Sequence, residues 1–287
     1  MKKDINRSAE IKLKISRIVV YTILIFLSFL CLFFFYLMFV NATRSNAQLQ
    51  RGFTLIPADN FFTNLYNAWH DGTINIPVGM KNSFITAVCS AALTTYFSAL
   101  TAYGTYVYDF KLKKFVHLFI LAIMMIPSQV SAVGFIQLAF KYNLTNKLWV
   151  LIVPSIAAPS VYFYMRQYLE ATLPIDMVEA ARIDGSSEFK IFNEIVLPIM
   201  KPAMAVQAIF SFVGSWNNYF MPSLLLNKAE VKTVPVMIAT LRSADYSKFD
   251  MGKVYMLMVM AILPVMVIYV ILSKSIIKGV TSGSVKG

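Results

Sequence analysis

Few residues in this chain have the types and spacing for bond chemistry. His70 and His117 have no Cys or carboxylate at a metal-ligand spacing, and Cys31 and Cys89 fall inside apolar runs, where cysteine behaves as a small hydrophobe. No GxxxxGK, GxSxG or HExxH motif is present. Neither a metal centre nor a catalytic nucleophile is expected. What the polar residues suit is recognition. Gln129, Ser131, Gln137, Trp216, Asn217 and Asn218 interrupt stretches that are otherwise apolar. Amides both donate and accept hydrogen bonds, and an aromatic ring stacks on the C–H face of a sugar, so the set suits a neutral hydroxylated solute. The same residues equally suit hydrogen bonding between membrane helices, at about 0.5 to 2 kcal/mol each. Met124, Met125 and the run MLMVM read as adaptable packing rather than a metal path.

One further segment carries a pattern. EAARIDGSSEFKIFNEIVLPIMKP, from Glu179 to Pro202, is charged and punctuated, yet lies between two long apolar runs. Asp176, three residues before Glu179, has capping-box spacing and predicts a helix start. Ala180 and Ala181 favour helix and leave the backbone approachable, and Gly185 supplies the left-handed position that ends a helix. Ser186 or Ser187 then caps a second helix, EFKIFNEIV, with an apolar stripe of Phe189, Phe192, Ile195 and Val196. Pro198 is expected to end it. Two short helices broken at Gly185 form an elbow. It reads either as a docking surface or as an amphipathic loop packed on its own protein.

The elements that must position these residues follow from composition. Of 287 residues, 58% are apolar and 14% charged, with a mean hydropathy of +0.64, which marks an integral membrane protein. Six runs free of Asp, Glu, Lys and Arg have the length to cross a hydrocarbon core, which takes about 20 helical residues: Ile18 to Val40, Asn82 to Tyr108, Phe115 to Phe140, Leu148 to Met165, Pro202 to Asn227 and Val254 to Ser273. Their continuous hydrophobicity predicts helices, not barrel strands. With the N-terminus inside, segments 1 to 17, 109 to 114, 166 to 201 and 274 to 287 hold 16 of the 26 Lys and Arg. The outer segments, of nearly equal total length, hold 10, so both termini are expected to be cytoplasmic. The basic N-terminal stretch precedes an apolar run too long for a cleaved signal and is read as a first span. The net charge of +12 is spread along membrane borders, which suits lipid anchoring and not a nucleic-acid partner. The expected class is an all-α membrane protein of six transmembrane helices with a cytoplasmic elbow between spans four and five. Segments 1–81, 82–278 and 279–287 are read as the N-terminal region, the core with its loop 166–201, and a C-terminal tail.

Glu179, Ala180, Ala181, Asp184 and Gly185, followed after nine intervening residues by Ile195, Leu197 and Pro198, form the pattern E-A-A-x-x-D-G…I-x-L-P. This resembles the cytoplasmic coupling motif of permease subunits in bacterial ATP-binding-cassette importers. MMIPSQVSAVGFIQLAFKYNLTNKLW, SFVGSWNNYFMPSLLL and the terminal KGVTSGSVKG resemble carbohydrate-uptake members, including the six-span subunit of the maltose transporter. The resemblance covers the chain from about Asn82 onward; the first span and segment 41–81 match loosely, and the family's proline near the outer end of span one is absent. It implies a second homologous permease subunit, two cytoplasmic ATPase subunits that dock the coupling residues, and an external solute-binding protein, in a bacterial cytoplasmic membrane. ATP and Mg would be bound by the ATPases, and no cofactor by this chain. It implies import of a neutral carbohydrate, an oligosaccharide or glycoside, by alternating access, without enzyme activity. In such pairs, the resemblance implies, the partner permease supplies most sugar contacts. Segment 228–253 is expected to approach the binding protein or to be a solvated loop, and Phe61, Tyr66 and Trp69 of segment 41–81 to form a docking or membrane surface. A non-sugar solute within the same architecture remains open. A self-sufficient secondary transporter is disfavoured, because no span carries an ion-coupling charge and no inverted repeat is evident.

Overall fold

The computed structural model describes residues 2–72, 74–242 and 250–284, with side chains described over 13–72, 74–240 and 250–271. Residues 243–249 of the expected external loop and 285–287 of the tail lie outside the described residues. All regular structure among the described residues is helical, in the order α1 (Lys2–Ala42), α2 (Asn46–Gln50), α3 (Phe61–Trp69), α4 (Ile76–Val107), α5 (Lys113–Met124), α6 (Ser128–Lys141), α7 (Trp149–Ile152), α8 (Pro159–Thr172), α9 (Ile175–Ile183), α10 (Glu188–Lys190), α11 (Leu197–Trp216), α12 (Phe220–Leu225), α13 (Val234–Arg242) and α14 (Met251–Ser284).

Among the described residues, four helical stretches are long and apolar enough to cross a membrane: Leu13–Ala42, Ile76–Val107, Glu188–Trp216 and Met251–Ile271. The pair α5 and α6, bent by 94°, makes a fifth if it is one span. Of the six expected runs, the third and fourth are broken among the described residues. Pro127 breaks the third run, because its ring removes a backbone donor and disfavours helix at the residue before it. The fourth run divides into α7, a 3₁₀ turn at Val153–Ile156 that contains Pro154, and α8, which starts at Pro159. The fifth begins well before Pro202 and ends at Trp216.

The chain forms two compact units, Met1–His70 with Asp245–Met260, and Asp71–Ala244 with Ala261–Gly287. In the first, α1 exposes apolar side chains around nearly its whole circumference, as a lipid-facing helix does. Its end is knotted by buried polar groups. Arg44 donates to the carbonyls of Gln48 and of Gly52, the latter at 2.9 Å, and Asn64 Nδ2 donates to the carbonyls of Ala42 (2.8 Å) and Arg44 (2.9 Å). A side chain at Gly252 would run into the Arg44 carbonyl, so the start of α14 needs glycine there. α3 buries Asn64 and Ala68 and exposes Tyr66 and Trp69, while Phe61 is half-buried.

In the second unit α4 is central. Ala87, Ala91, Thr94, Thr95, Ser98, Ala99, Ala102 and Thr105 bury a stripe of small side chains, which lets neighbouring helices approach closely. The threonine hydroxyls of residues 86 and 95 donate to carbonyls one turn back, at 2.8 and 2.7 Å, and so cost nothing unsatisfied. Against this face pack Val161, Tyr162, Met165 and Leu169 of α8 and Met200 and Ala203 of α11.

Candidate functional site

A helix–turn–helix stands where the elbow is expected, and its construction differs from the sequence reading. Pro174 is the N-cap of α9, and no side chain caps the helix. Asp176 sits inside the first turn, where its charge favours the positive end of the helix, so it does not form a capping box with Glu179. The other end follows the sequence reading. Gly185 has φ +79°, the Ser186 N–H donates to the Ala181 carbonyl at 3.0 Å, and the Gly185 N–H donates to that of Arg182 at 3.0 Å. This pair of bonds is the Schellman closure, which needs a left-handed residue where glycine stands.

Ser187, rather than Ser186, opens the next helix, its Oγ accepting from the Lys190 N–H at 3.4 Å. The expected stop at Pro198 is absent. α10 widens into a π-turn over Ile191–Val196, in which the Leu197 N–H reaches back five residues to the Phe192 carbonyl, and α11 follows directly. The wide turn gives the Pro198 ring room and asks no donor of it. The elbow's second arm is thus the first turns of a span, and displacement of the turn passes straight into α11.

The inner face of the elbow is core. Val178 and Ala181 are buried with Ile191, Phe192 and Val196 against Tyr103 of α4 and Leu169 of α8. Phe192 lies between the rings of Tyr96 and Tyr103, with centroids 5.7 and 5.4 Å away. Ala181, expected to leave a free surface, is only 8% exposed and faces inward. Glu179, Ala180, Asp184, Gly185 and Pro198 are exposed, while Ile195 and Leu197 are half-buried. Beside them stands a large apolar side chain that sequence reasoning passed over, Ile183, at 87% exposure.

A second feature went unread in the sequence. Arg182 Nε donates to Glu188 Oε1 at 2.6 Å across the Gly185 turn, and the Tyr103 hydroxyl donates to Glu188 Oε2 at 3.0 Å. The Arg182 guanidinium also lies 5.2 Å from the Tyr108 ring centroid. Glu188 is the first residue of its helix, and its carboxylate, partly exposed, accepts both bonds. The bond to Glu188 raises the Arg182 guanidinium, and burial followed by a bond to Glu188 raises the Tyr108 hydroxyl.

The polar residues expected along a solute path are dispersed. Gln129 and Ser131 lie exposed in the first turn of α6, just past the Pro127 bend, and Gln137 is exposed further along. Asn217 and Asn218 lie at the break between α11 and α12, exposed and half-buried respectively. Among the described residues no hydrogen bond joins the two groups; the helices meet instead through Ala139, Phe135 and Ile136 of α6 with Met221 and Leu225 of α12. Trp216 is buried, stacks on Phe212 with centroids 5.9 Å apart, and donates its indole N–H to the Ala261 carbonyl at 3.0 Å. Its ring is committed to helix packing.

Residues 94–281 match the family described as "Binding-protein-dependent transport system inner membrane component". The chain is 33% identical over 267 residues to the "Arabinooligosaccharides transport system permease protein AraQ" of Bacillus subtilis (strain 168), covering 91% of this chain and 92% of that protein. It is 30% identical over 269 residues to the "Lactose transport system permease protein LacG" of Rhizobium radiobacter, covering 94% and 96%. To the "sn-glycerol-3-phosphate transport system permease protein UgpE" of Yersinia pestis it is 29% identical over 255 residues, covering 87% and 90%. In fold it matches, with a TM-score of 0.78 and 20% identity, a chain of a bacterial ABC transporter involved in the import of the acidic polysaccharide alginate, covering 91% of this chain and 96% of that one. Family membership implies an ATPase and a solute-binding protein as partners, and a membrane component that is not itself an enzyme. The chain belongs to the binding-protein-dependent transport system inner membrane components, the permease subunits of ATP-binding-cassette importers.

Proposed function

We propose that this permease imports a neutral oligosaccharide or glycoside, paired in the cytoplasmic membrane with a second homologous permease and with both termini facing the cytoplasm. The Lys and Arg distribution supports that orientation, and the sugar-transport relatives support the solute class. A binding protein delivers the solute outside, and two ATPase subunits act on the elbow inside. Glu179, Ala180, Asp184 and Gly185, with Ile183 at the tip, form the face an ATPase groove receives. Ala181, Ile195, Leu197 and Pro198 tie that face to the spans.

The observation that carries this reading is the build of the elbow. One face is fused to the core of α4, α8 and α11, the turn is closed by two backbone bonds and an ion pair, and the opposite face bears an uncovered isoleucine. Such a part is stiff enough to carry a push. Between α5 and α6 the helix breaks at Pro127 inside an apolar run, and a break within a span is tolerated where it is covered by protein or lines a watery cavity, which supports a path past Gln129 and Ser131. Reconstitution in proteoliposomes tests the proposal: uptake of a neutral oligosaccharide requires the binding protein, the second permease and the ATPases together. Uptake by the permease without ATPase would overturn it.

A further inference from the structure

Beyond the break that ends α11, the second unit contains a cavity of about 280 Å³ lined by Tyr219, Ser223, Asn227, Lys232, Val236 and Thr240, among others. Ligand pockets run from about 300 Å³ upward, so this one suits a single sugar ring and not a whole chain of them. Five of its eight lining residues are polar: a half-exposed phenol, an amide, an ammonium, and two hydroxyls that donate to the Phe220 and Met237 carbonyls.

What distinguishes the cavity from an ordinary loop crevice is how its wall is held. Asn82 Nδ2 donates to the carbonyls of Glu230 (2.9 Å) and Lys232 (3.0 Å), and Ser83 Oγ accepts from the Val234 N–H at 2.9 Å. Asn146 Oδ1 accepts from the N–H groups of Asn227 (2.7 Å) and Lys228 (2.8 Å), while its own N–H donates to the Leu225 carbonyl at 2.8 Å. Asn146 has φ +58°, a left-handed position that asparagine accepts more readily than most residues. Six hydrogen bonds therefore fix the backbone of residues 225–234, and every one is made by side chains outside the cavity or by backbone. The Asn227 amide and the Lys232 ammonium are spent on none of them. Fixed backbone with unspent polar side chains is the arrangement in which a ligand pays little ordering entropy.

We propose that this cavity is a glycosyl subsite of the permease, at which one ring of the incoming solute rests after leaving the binding protein. Tyr219 stacks on the C–H face, Asn227 donates to and accepts from vicinal hydroxyls, and Lys232 donates to a hydroxyl oxygen. The subsite rests on the proposed function, and on the loop 228–253 facing outward. It adjoins Asn217 and Asn218 in sequence, so it would lead into the expected path rather than away from it.

The test uses the full complex in proteoliposomes with two probes of equal length, arabinotriose and trigalacturonate. Tyr219→Ala, Asn227→Ala and Lys232→Met should each raise the KM for arabinotriose uptake about tenfold, the effect of one lost hydrogen bond or stacking contact. Saturating arabinotriose should slow maleimide labelling of an Asn227→Cys complex at least fivefold. That readout does not depend on turnover. If the unmodified complex takes up arabinotriose but labelling is unprotected and the KM values stay within twofold, the subsite is overturned while the proposed function stands. Stronger protection by trigalacturonate than by arabinotriose would overturn the neutral-sugar assignment. Loss of stimulation by the binding protein with KM unchanged would overturn it in favour of a protein contact. No uptake by the unmodified complex at all would overturn the functional reading beneath it.

Discussion

Arg182 and Glu188 meet at 2.6 Å across the turn that Gly185 makes, and this contact ties the end of α9 to the first turn of the helix that becomes a span. Because Glu188 also accepts from Tyr103 of α4, three elements share one carboxylate. The elbow cannot tilt away from α4 without breaking the shared set.

Removing that carboxylate should loosen transmission without removing the docking face. Glu188→Gln is expected to cut uptake several-fold while the ATPase subunits still co-purify, at a stability cost of about 1 kcal/mol because the pair is partly exposed. Hydrogen-exchange protection at Asp184–Ser187 should fall in Glu188→Gln relative to the unmodified protein, because the carboxylate that holds Arg182 and Tyr103 is gone. Unchanged protection would sink the assignment.

Gly185 is constrained by its backbone and not by its surroundings, since a Cβ there would meet nothing within 4 Å. Gly185→Asn, which accepts the left-handed conformation, should therefore keep most uptake, whereas Gly185→Val should strain the turn by about 1 to 3 kcal/mol. Melting temperature in detergent and uptake, measured on both variants, separate this from a simple requirement for small size, under which both would fail alike.

The helix–turn–helix and its glycine stop were legible because capping and left-handed turns are local chemistry, read from Gly185 and the Ser186–Ser187 pair. Its inner face was not. Whether Ala180 or Ala181 turns outward depends on the rotation of α9 about its axis, which Val178 and the core beneath it decide. The Arg182–Glu188 contact was also invisible, because it exists only once the turn has closed. Hydropathy located the spans, but it averages over proline, so it joined α5 to α6 across a 94° bend and divided α10 from α11 where a π-turn carries the helix past Pro198. Trp216 shows the same limit: its polar atom suggested a solute, and a carbonyl on α14 claims it.

The two alanines now separate docking from folding. Ala180→Trp, on the exposed face, should leave the yield of folded permease unchanged and abolish co-purification of the ATPase. Ala181→Trp should overpack the core by about 1 to 3 kcal/mol and lower the folded yield itself. Ile183→Asp should behave like Ala180→Trp, because its side chain projects almost wholly into solvent. Normal ATPase recovery with both Ala180→Trp and Ile183→Asp would remove this face from the interface.

Trp216→Phe removes a hydrogen bond but keeps the ring that stacks on Phe212. A loss of about 0.5 to 1.5 kcal/mol in stability is expected, with the KM for solute within twofold of the unmodified protein. A KM shift of tenfold with stability intact would return Trp216 to the solute path.

Pro198 provides the least intuitive test. In an ordinary helix, replacing an interior proline by alanine gains about 3 kcal/mol. Here the π-turn already accommodates the ring, and it also sets the rotation that puts Ile191, Phe192 and Val196 into the core. Pro198→Ala restores an N–H that favours a regular α-helix, and closing the π-turn would rotate the preceding residues by about 100° and draw Phe192 out from between Tyr96 and Tyr103. The two effects oppose each other, and burial of a phenylalanine is worth about 1.5 to 3 kcal/mol. Pro198→Ala should thus fail to raise the melting temperature and should reduce coupling of ATP hydrolysis to uptake. A stabilised variant with full uptake would show that the π-turn is only a consequence of the proline and does not hold the elbow in place.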